Sequence, residues 1–167
     1  MIARAAASLI LASALVTGTS GCTFFSQQAT LNHYDASDGV SANVGNVGAR
    51  NMIALISADG SVVNLLVTFV NTGTTIANVN IQFTSGGTKT TIVKSVRPRD
   101  SSSFGNAAGE PQILIQQPDT QAGSLLPIYL QVGTDPGQQV LVPVLDGSLS
   151  QYSTLVPTPA PTATSSK

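Results

Sequence analysis

From residue 40 onward the chain consists of short runs in which apolar and polar residues alternate, and each run ends at turn-forming residues. The runs at 62–71 and 76–84 are the clearest, because an apolar side chain falls at every second position. Side chains of a β-strand point alternately to its two faces, so this period of two indicates strands with one apolar face. No helical period occurs beyond the first 21 residues. The pattern therefore predicts an all-β domain.

Turn-forming residues separate eight candidate strands, a pattern typical of an immunoglobulin-like β-sandwich of about seven to eight strands. We expect the sandwich to occupy residues 34–153. The turn Asn71-Thr72-Gly73 predicts a hairpin between neighbouring strands. Ser85-Gly86-Gly87 predicts another, because the sequence around it lacks the glycine spacing and the following helix of a phosphate-binding loop. The candidate strands are Val40–Val47, Arg50–Ser57, Val62–Asn71, Ile76–Thr84, Thr88–Val96, Gln112–Gln116, Ser124–Val132 and Gln138–Leu145.

Glycine and proline positions refine this outline. Asp38-Gly39 predicts a turn before the first strand, in which Gly39 can take a positive φ. Pro127 and Pro143 lie inside the last two runs, and proline lacks the N–H that a central strand needs, so edge positions or bulges are expected there. The stretch 97–112 is the longest one in the domain that shows no strand pattern.

The first residues have the outline of a secretory signal. One positive charge at Arg4 precedes an uncharged run at 5–16. A helix over that run would be about 18 Å long, well short of the roughly 30 Å hydrocarbon core, so a transmembrane anchor is the weaker interpretation. We expect residues 1–21 to be a signal peptide and residues 22–33 to be a tether.

Cys22 is the chain's single cysteine, and small residues stand directly before it. The stretch Ser20-Gly21-Cys22 resembles the lipobox of bacterial lipoproteins, although Thr19 stands where an aliphatic residue is usual. That resemblance implies cleavage before Cys22 and acylation of its thiol, with chains such as palmitate. An ordinary secreted protein with one unpaired thiol is the alternative, and lipidation explains the lone cysteine better. Two acyl chains hold a protein stably on a membrane.

Composition narrows the possible partners. Six basic and eight acidic residues follow residue 21, which gives a net charge of −2 and no basic surplus for nucleic acid.

Proline, threonine and serine dominate residues 154–167, a composition too poor in apolar residues to fold, so a disordered tail is expected.

Three short stretches resemble a family of small actinobacterial lipoproteins of the Lpq type. This resemblance implies an immunoglobulin-like sandwich on the outer face of the cytoplasmic membrane, and it implies no activity. The matching residues are Tyr34, Ser37, Asp38, Gly39 and Val40, then Asn71 to Gly73, then Val142-Pro143-Val144.

A more distant resemblance is to periplasmic copper chaperones, which bind Cu(I) through paired Met and His residues. Beyond the signal this chain has only Met52 and His33 of those types. Soft-metal sites need several converging ligands, so we expect no metal and no cofactor. A solvated linker position for His33 and a core position for Met52 are the simpler interpretations.

Other candidate chemistry is limited. The chain contains no Gly-x-Ser-x-Gly motif, its one histidine is a poor member of a catalytic triad, and most acids are scattered singly, so we expect no enzyme. The basic residues Lys89, Lys94, Arg97 and Arg99 suggest attraction to anionic lipids or an acidic wall polymer. A strand edge protected by charge against aggregation is at least as good an explanation.

The sequence thus predicts a membrane-anchored, extracytoplasmic lipoprotein that acts as a non-catalytic binding or accessory module of the cell envelope. Its partner would be an envelope protein or a wall polymer, recognised through strand edges or the 97–111 loop. Metal delivery, as in copper chaperones, is the alternative function.

Overall fold

A computed structural model describes residues 1–24, 35 and 37–158, with the side chains of the first helix described up to residue 15. The chain divides into the units Met1–Tyr34 and Asp35–Lys167. In the first unit, α1 spans Ile2–Phe24 and is rich in alanine and leucine, both strong helix formers. None of the helices in the described residues combines the length and the apolar character that crossing a membrane requires.

The described part of the second unit is all-β, as predicted, and has nine strands. All eight predicted runs correspond to strands within three residues at each end, and the first strand ends before its predicted run does because the chain turns at Gly45-Asn46. The strands are β1 Val40–Val44, β2 Val47–Ile56, β3 Val62–Asn71, β4 Ala77–Ser85, β5 Thr88–Val96, β6 Asp100–Phe104, β7 Leu114–Gln116, β8 Leu125–Val132 and β9 Gln138–Leu145.

The strands follow one hydrogen-bonded path in the order β5-β4-β8-β9-β2-β3-β6, with β1 paired to β2 and β7 paired to β3. The path curls into two sheets: a first sheet of β1, β2, β3, β6 and β7, and a second sheet of β5, β4, β8 and β9. A short parallel contact between β2 and β9 joins them, where Ala54 pairs with Val144 and Leu55 with Leu145. The predicted sandwich-like fold is confirmed.

The core lies between the two sheets and is built by the alternation seen in the sequence. Each strand directs every second side chain inward, so both sheets contribute aliphatic residues to one apolar cluster. The largest fully buried side chains include Phe69, Met52, Leu65, Ile81, Ile128 and Leu130.

The turn Asn71-Thr72-Gly73 does not close a hairpin, so that prediction is wrong. β3 pairs with β2, β6 and β7, whereas β4 pairs with β5 and β8, and the chain crosses here from the first sheet to the second. Asn71 Nδ2 donates to Thr75 O at 2.8 Å and to Val96 O at 3.1 Å. The Gly73 N–H donates to Asn71 Oδ1 at 2.9 Å. Two consecutive strands show the same alternation of apolar and polar residues whether they pair as a hairpin or lie in facing sheets. The sequence pattern therefore cannot distinguish these two arrangements.

The second predicted turn is a hairpin turn, as expected. Ser85 pairs with Thr88, and the loop residues Gly86 and Gly87 have φ values of 55° and 75°. Two consecutive positive φ values are typical of the type I′ turn that best fits a two-residue hairpin.

The stretch 97–112 is more ordered than the sequence predicts. β6 pairs with β3 from Val67 opposite Phe104 to Asn71 opposite Asp100. Serine dominates this strand and has little preference for β-structure, so its conformation depends on pairing with β3.

Neither proline strand is a sheet edge, so that part of the prediction is wrong. β8 lies between β4 and β9, and β9 lies between β8 and β2. The pairing of β8 with β4 covers only Tyr129–Val132, however, so Pro127 stands beyond the point where β4 and β8 separate. Pro143 similarly precedes the two residues of β9 that pair with β2.

The chain after β9 covers the outer face of the first sheet. Tyr152 and Leu155 pack against a second apolar cluster of Ile53, Leu55 and Leu66, and the Asn64 Nδ2 donates to the Leu155 carbonyl at 2.9 Å. Pro157 is also buried, so packed structure continues past residue 153, where the sequence places the end of the sandwich. Of the predicted tail, residues 154–167, the part from 159 onward lies outside the described residues.

Candidate functional site

The metal-ligand candidates do not come together. Met52 is completely buried in the core between the sheets, in agreement with the core position expected from the sequence. His33 lies outside the described residues. Cys22 belongs to α1, but its side chain is not among those described. Among the described residues no group of three or more His, Cys, Asp or Glu could hold a metal ion.

The four basic residues of the 89–99 segment are dispersed. Lys89 is on the outer face of β5, while Lys94 points to the inner side and places its Nζ 5.1 Å from the centre of the Phe104 ring. Arg97 and Arg99 lie in the connection to β6. An inward-pointing lysine on an edge strand hinders pairing with another chain. The cation–π contact of Lys94 with Phe104 also links β5 to β6. The arrangement favours edge protection over one basic patch.

The outer face of the second sheet remains uncovered by the described residues, and we call it the open face. Its side chains alternate with buried ones along β4, β8 and β9, and with partly buried ones at Ile92 and Lys94 of β5. Lys89 is its one charged residue within the described part of the chain. The open face consists of Asn78, Asn80, Gln82 and Thr84 of β4, Lys89, Thr91, Val93 and Ser95 of β5, Leu125, Pro127, Tyr129 and Gln131 of β8, and Gln139, Leu141 and Pro143 of β9.

A groove of about 360 Å³ opens in the open face where β4 and β8 separate at Pro127. Because proline cannot donate a ladder hydrogen bond, the two strands diverge there and the side of buried Phe83 becomes accessible from the groove. Its lining residues are Gln82, Phe83, Thr84, Lys89, Pro127, Tyr129 and Gln139. The groove therefore combines one exposed aromatic ring, two amides and one cation.

Tyr129 is held in place at this groove. A Cβ on Gly137 would lie only 2.3 Å from the Tyr129 Oη, so the tyrosine ring packs directly on the glycine backbone. The ring nevertheless keeps 38% of its surface exposed. Gln139 pairs with Tyr129 across β8 and β9, and Gln82 pairs with it across β4 and β8. One tyrosine is thus flanked by an amide on each side in the same row of the sheet.

A second cleft, of about 720 Å³, lies among the loops that follow β2, precede β8 and follow β9. Asp59 and Asp146 both line it, although they are far apart in the sequence. Hydrogen bonds from Ser57 and Ser61 lower the pKa of Asp59, and hydrogen bonds from Ser148 lower the pKa of Asp146. Both carboxylates are therefore stabilised as anions within their own turns.

No protein-family model and no curated protein matches the chain. Three similar solved structures are the copper-bound PCuAC domain from PmoF2 (13% identity, TM-score 0.50), the apo PmoF2 PCuAC domain (12%, 0.51) and the apo PCuAC domain from PmoF1 (13%, 0.52). The matches cover 64%, 66% and 64% of this chain and 98% of each of the others. The predicted likeness to copper chaperones is thus confirmed at the level of the fold. The likeness to Lpq-type lipoproteins stays a prediction.

Proposed function

We propose that this chain is a non-catalytic binding module of the cell envelope, which a lipid on Cys22 holds on the outer face of the cytoplasmic membrane. The observation that carries the proposal is the difference between the two sheets. The segment after β9 covers the outer face of the first sheet, whereas the open face presents a broad surface with one charge in the described residues. An exposed surface with apolar and aromatic side chains is typical of recognition sites.

Two further observations support binding over catalysis. The Ser57 and Ser61 hydroxyls donate to Asp59 and the Ser148 N–H donates to Asp146, each within its own turn, so these groups of the second cleft stabilise turns. In the 97–111 loop, an alternative recognition element in the sequence, residues 100–104 form β6 and pair with β3. The open face is therefore the better candidate for the recognition surface.

Capture from envelope fractions tests this proposal. The chain from residue 22 onward, carrying Cys22→Ser, would be immobilised and exposed to solubilised membrane proteins and to wall polymers. The variant Val93→Glu with Leu141→Glu adds two charges at positions that are 55% and 47% exposed, so it alters the open face without disturbing the core.

A matched control adds the same charges elsewhere. Ile76→Glu with Leu149→Glu changes two residues that are 63% and 46% exposed and that lie outside the open face. We expect the open-face variant to lose at least about 90% of the captured material and the control to retain it. Equal capture by both variants, or turnover of a substrate by the purified chain, would contradict the proposal.

Metal delivery is a second candidate, favoured by the fold shared with the copper-bound PCuAC domain. The donors in the described residues do not fit a Cu(I) site, because buried Met52 is the only residue with a sulfur atom in the domain and no ligand group surrounds it. A competition titration with Cu(I) would compare the chain with a His33→Ala, Met52→Leu variant. Equal affinities would exclude this candidate, and at least tenfold weaker binding by the variant would support it.

A further inference from the structure

The groove at Tyr129 has a lining that suits one class of ligand. Its walls carry an exposed tyrosine ring, the amides of Gln82 and Gln139, and the ammonium of Lys89. The described lining contains no carboxylate. The groove therefore offers an apolar surface, paired donors and acceptors, and a positive charge at short range.

Sugar rings complement such a surface. One face of a pyranose is lined by C–H groups and packs on an aromatic ring, while its hydroxyl groups donate and accept hydrogen bonds at the rim. A glutamine side chain offers both a carbonyl acceptor and an amide donor, so the two glutamines beside Tyr129 can bond adjacent hydroxyls. Gly137 holds the tyrosine ring in position, so little conformational entropy is lost on binding.

Lys89 distinguishes among sugars. It lines the groove at the hairpin end of β5, and the open face carries no acid that would neutralise it in the described residues. A carboxylate or phosphate group on a glycan would meet this cation. An anionic membrane surface is a poorer match, since attraction to such surfaces takes a cluster of basic residues and each contributes only about 1 kcal/mol.

We propose that the groove binds an anionic glycan, with Tyr129 stacked on one sugar ring, Gln82 and Gln139 bonded to its hydroxyls, and Lys89 facing its acidic group. This inference rests on the proposed function and names the ligand class of the same surface.

Binding to immobilised polymers tests the proposal. The probes are polygalacturonate, which carries carboxylates, a phosphomannan, which carries phosphates, and dextran, which is neutral. The protein is the chain from residue 22 onward with Cys22→Ser. We expect binding to at least one acidic polymer, at least about tenfold tighter than binding to dextran, and weaker at higher salt.

Four variants separate a site from a general surface effect. Tyr129→Leu keeps an apolar side chain but removes the ring and should weaken binding at least about tenfold, whereas Tyr129→Phe keeps the ring and should bind within about threefold of the parent chain. Lys89→Gln should remove the preference for acidic polymers over dextran. Leu149→Ala, outside the groove, should change nothing. Circular dichroism checks that each variant is folded.

The outcomes also separate this inference from the proposed function. If the chain binds none of the three polymers, or if Tyr129→Leu binds as tightly as the parent chain, the glycan assignment is wrong. If the open-face variant Val93→Glu, Leu141→Glu still loses captured envelope protein, the binding function survives and its ligand is a protein. If nothing is captured in either experiment, both proposals fail.

Discussion

Asn71 is the residue on which the crossover between the two sheets depends. Its side chain is 1% exposed and makes three hydrogen bonds, two as donor and one as acceptor. One of them reaches Val96 at the end of β5, so the same amide ties the end of β3 to the second sheet. Buried polar groups that lose their partners are costly, because water cannot replace the lost hydrogen bonds.

Replacing this amide should destabilise the fold. We expect Asn71→Ala to lower the free energy of unfolding by about 3 kcal/mol, since the Val96 carbonyl loses a partner and the turn loses its internal bonds. Urea denaturation measures the change. Asn78→Ala, which removes an exposed amide from β4, is the control and should cost less than about 0.5 kcal/mol. Equal losses in the two variants would mean that Asn71 does not hold the crossover.

Gly39 is required for a different reason from the one expected. Its φ is not in the positive range, so the predicted left-handed turn is wrong there. A Cβ at this position would lie 2.7 Å from the backbone carbon of Asn51 and 2.9 Å from Ile53 Cγ1. Asn51 itself has a φ of 50° at the irregularity in the pairing of β2. The glycine therefore allows the chain to pass closely over that irregularity.

A side chain at Gly39 should therefore be poorly tolerated. We expect Gly39→Ala to cost about 2 kcal/mol, because the added Cβ would meet the Asn51 backbone carbon at 2.7 Å as well as the side chains of Asn51 and Ile53, and the backbone cannot move aside cheaply. Gly60→Ala tests backbone strain without crowding, since Gly60 has a φ of 74° and no atom within 4 Å of the added Cβ. Its expected cost, near 1 kcal/mol, is smaller. Unfolding midpoints would rank the two variants, and a larger effect at Gly60 would contradict the crowding argument.

Among the elements, the segment after β9 acts as a cover for the first sheet. Ile53, Leu55 and Leu66 point away from the main core, yet all three are buried because Tyr152 and Leu155 lie over them. The Asn64 amide depends on the same segment through the Leu155 carbonyl. The burial of this outer face explains why Ile53 and Leu55 of β2 and Leu66 of β3 are apolar although they point away from the main core.

Truncation should show whether stability depends on the segment that covers the first sheet or on the residues beyond it. A chain ending at residue 158 should keep its stability, whereas one ending at residue 150 should lose more than about 3 kcal/mol, because three aliphatic side chains become exposed. Chemical denaturation of both truncated chains measures this difference. Equal stability would show that the contacts around Tyr152 and Leu155 contribute little.

Tyr152 makes this cover sensitive to high pH. Burial and the Asp38 carboxylate, to which its hydroxyl donates at 2.7 Å, raise the pKa of Tyr152 to about 12 from an ordinary value of 10.0. The folded state holds the phenol proton more tightly than the unfolded chain does. The resulting stabilisation is complete below pH 10 and is lost as the pH rises from 10 towards 12.

The variant Tyr152→Phe should lack this loss. Because solvent screens the pair, we expect the effect to be about 1 kcal/mol, measured as the difference in unfolding free energy between pH 9 and pH 11.5. Asp38→Asn should show a reduced dependence, since one of the causes of the shift is removed. If Tyr152→Phe kept the full alkaline loss of stability, the titrating group would be elsewhere.

At the element scale the sequence predicts strand positions well and strand partners poorly. Alternation identifies eight of the nine described strands within three residues, because the period of two follows directly from which side chains face the core. β6 was missed because its serines carry no such signal, and it forms only against β3. The sequence predicts a hairpin at Asn71, where the chain crosses between the two sheets. No feature of the local sequence distinguishes a following strand in the same sheet from one in the facing sheet.

For the whole molecule, the candidate site is assembled from β4, β5, β8 and β9, whose residues lie far apart in the chain. Tyr129 and Gln139 could be associated from the sequence, since they are on consecutive strands. Gln82 and Lys89 could not be added without knowing that β4 pairs with β8. The groove therefore depends on topology, and the polar, uncharged composition of these strands was its one signal in the sequence.

The anchor at Cys22 is the feature that would determine where this surface is presented. If the lipid is present, the chain isolated from its own membranes should have the mass of residues 22–167 plus a diacylglycerol group and any further acyl chain. Mass spectrometry of the intact protein measures this. Two acyl chains suffice for stable attachment, so the protein should also enter the detergent phase on phase separation.

Cys22→Ser is the decisive variant, because it removes the acylated atom and leaves the domain unchanged. We expect it to keep the unfolding midpoint of the domain, lose the lipid mass and move at least about tenfold towards the aqueous phase. A lipid-free mass for the parent chain, or equal partition of both proteins, would contradict anchoring at Cys22. The open face would then act in solution, and its affinity for a ligand would have to hold the protein at the envelope without help from the membrane.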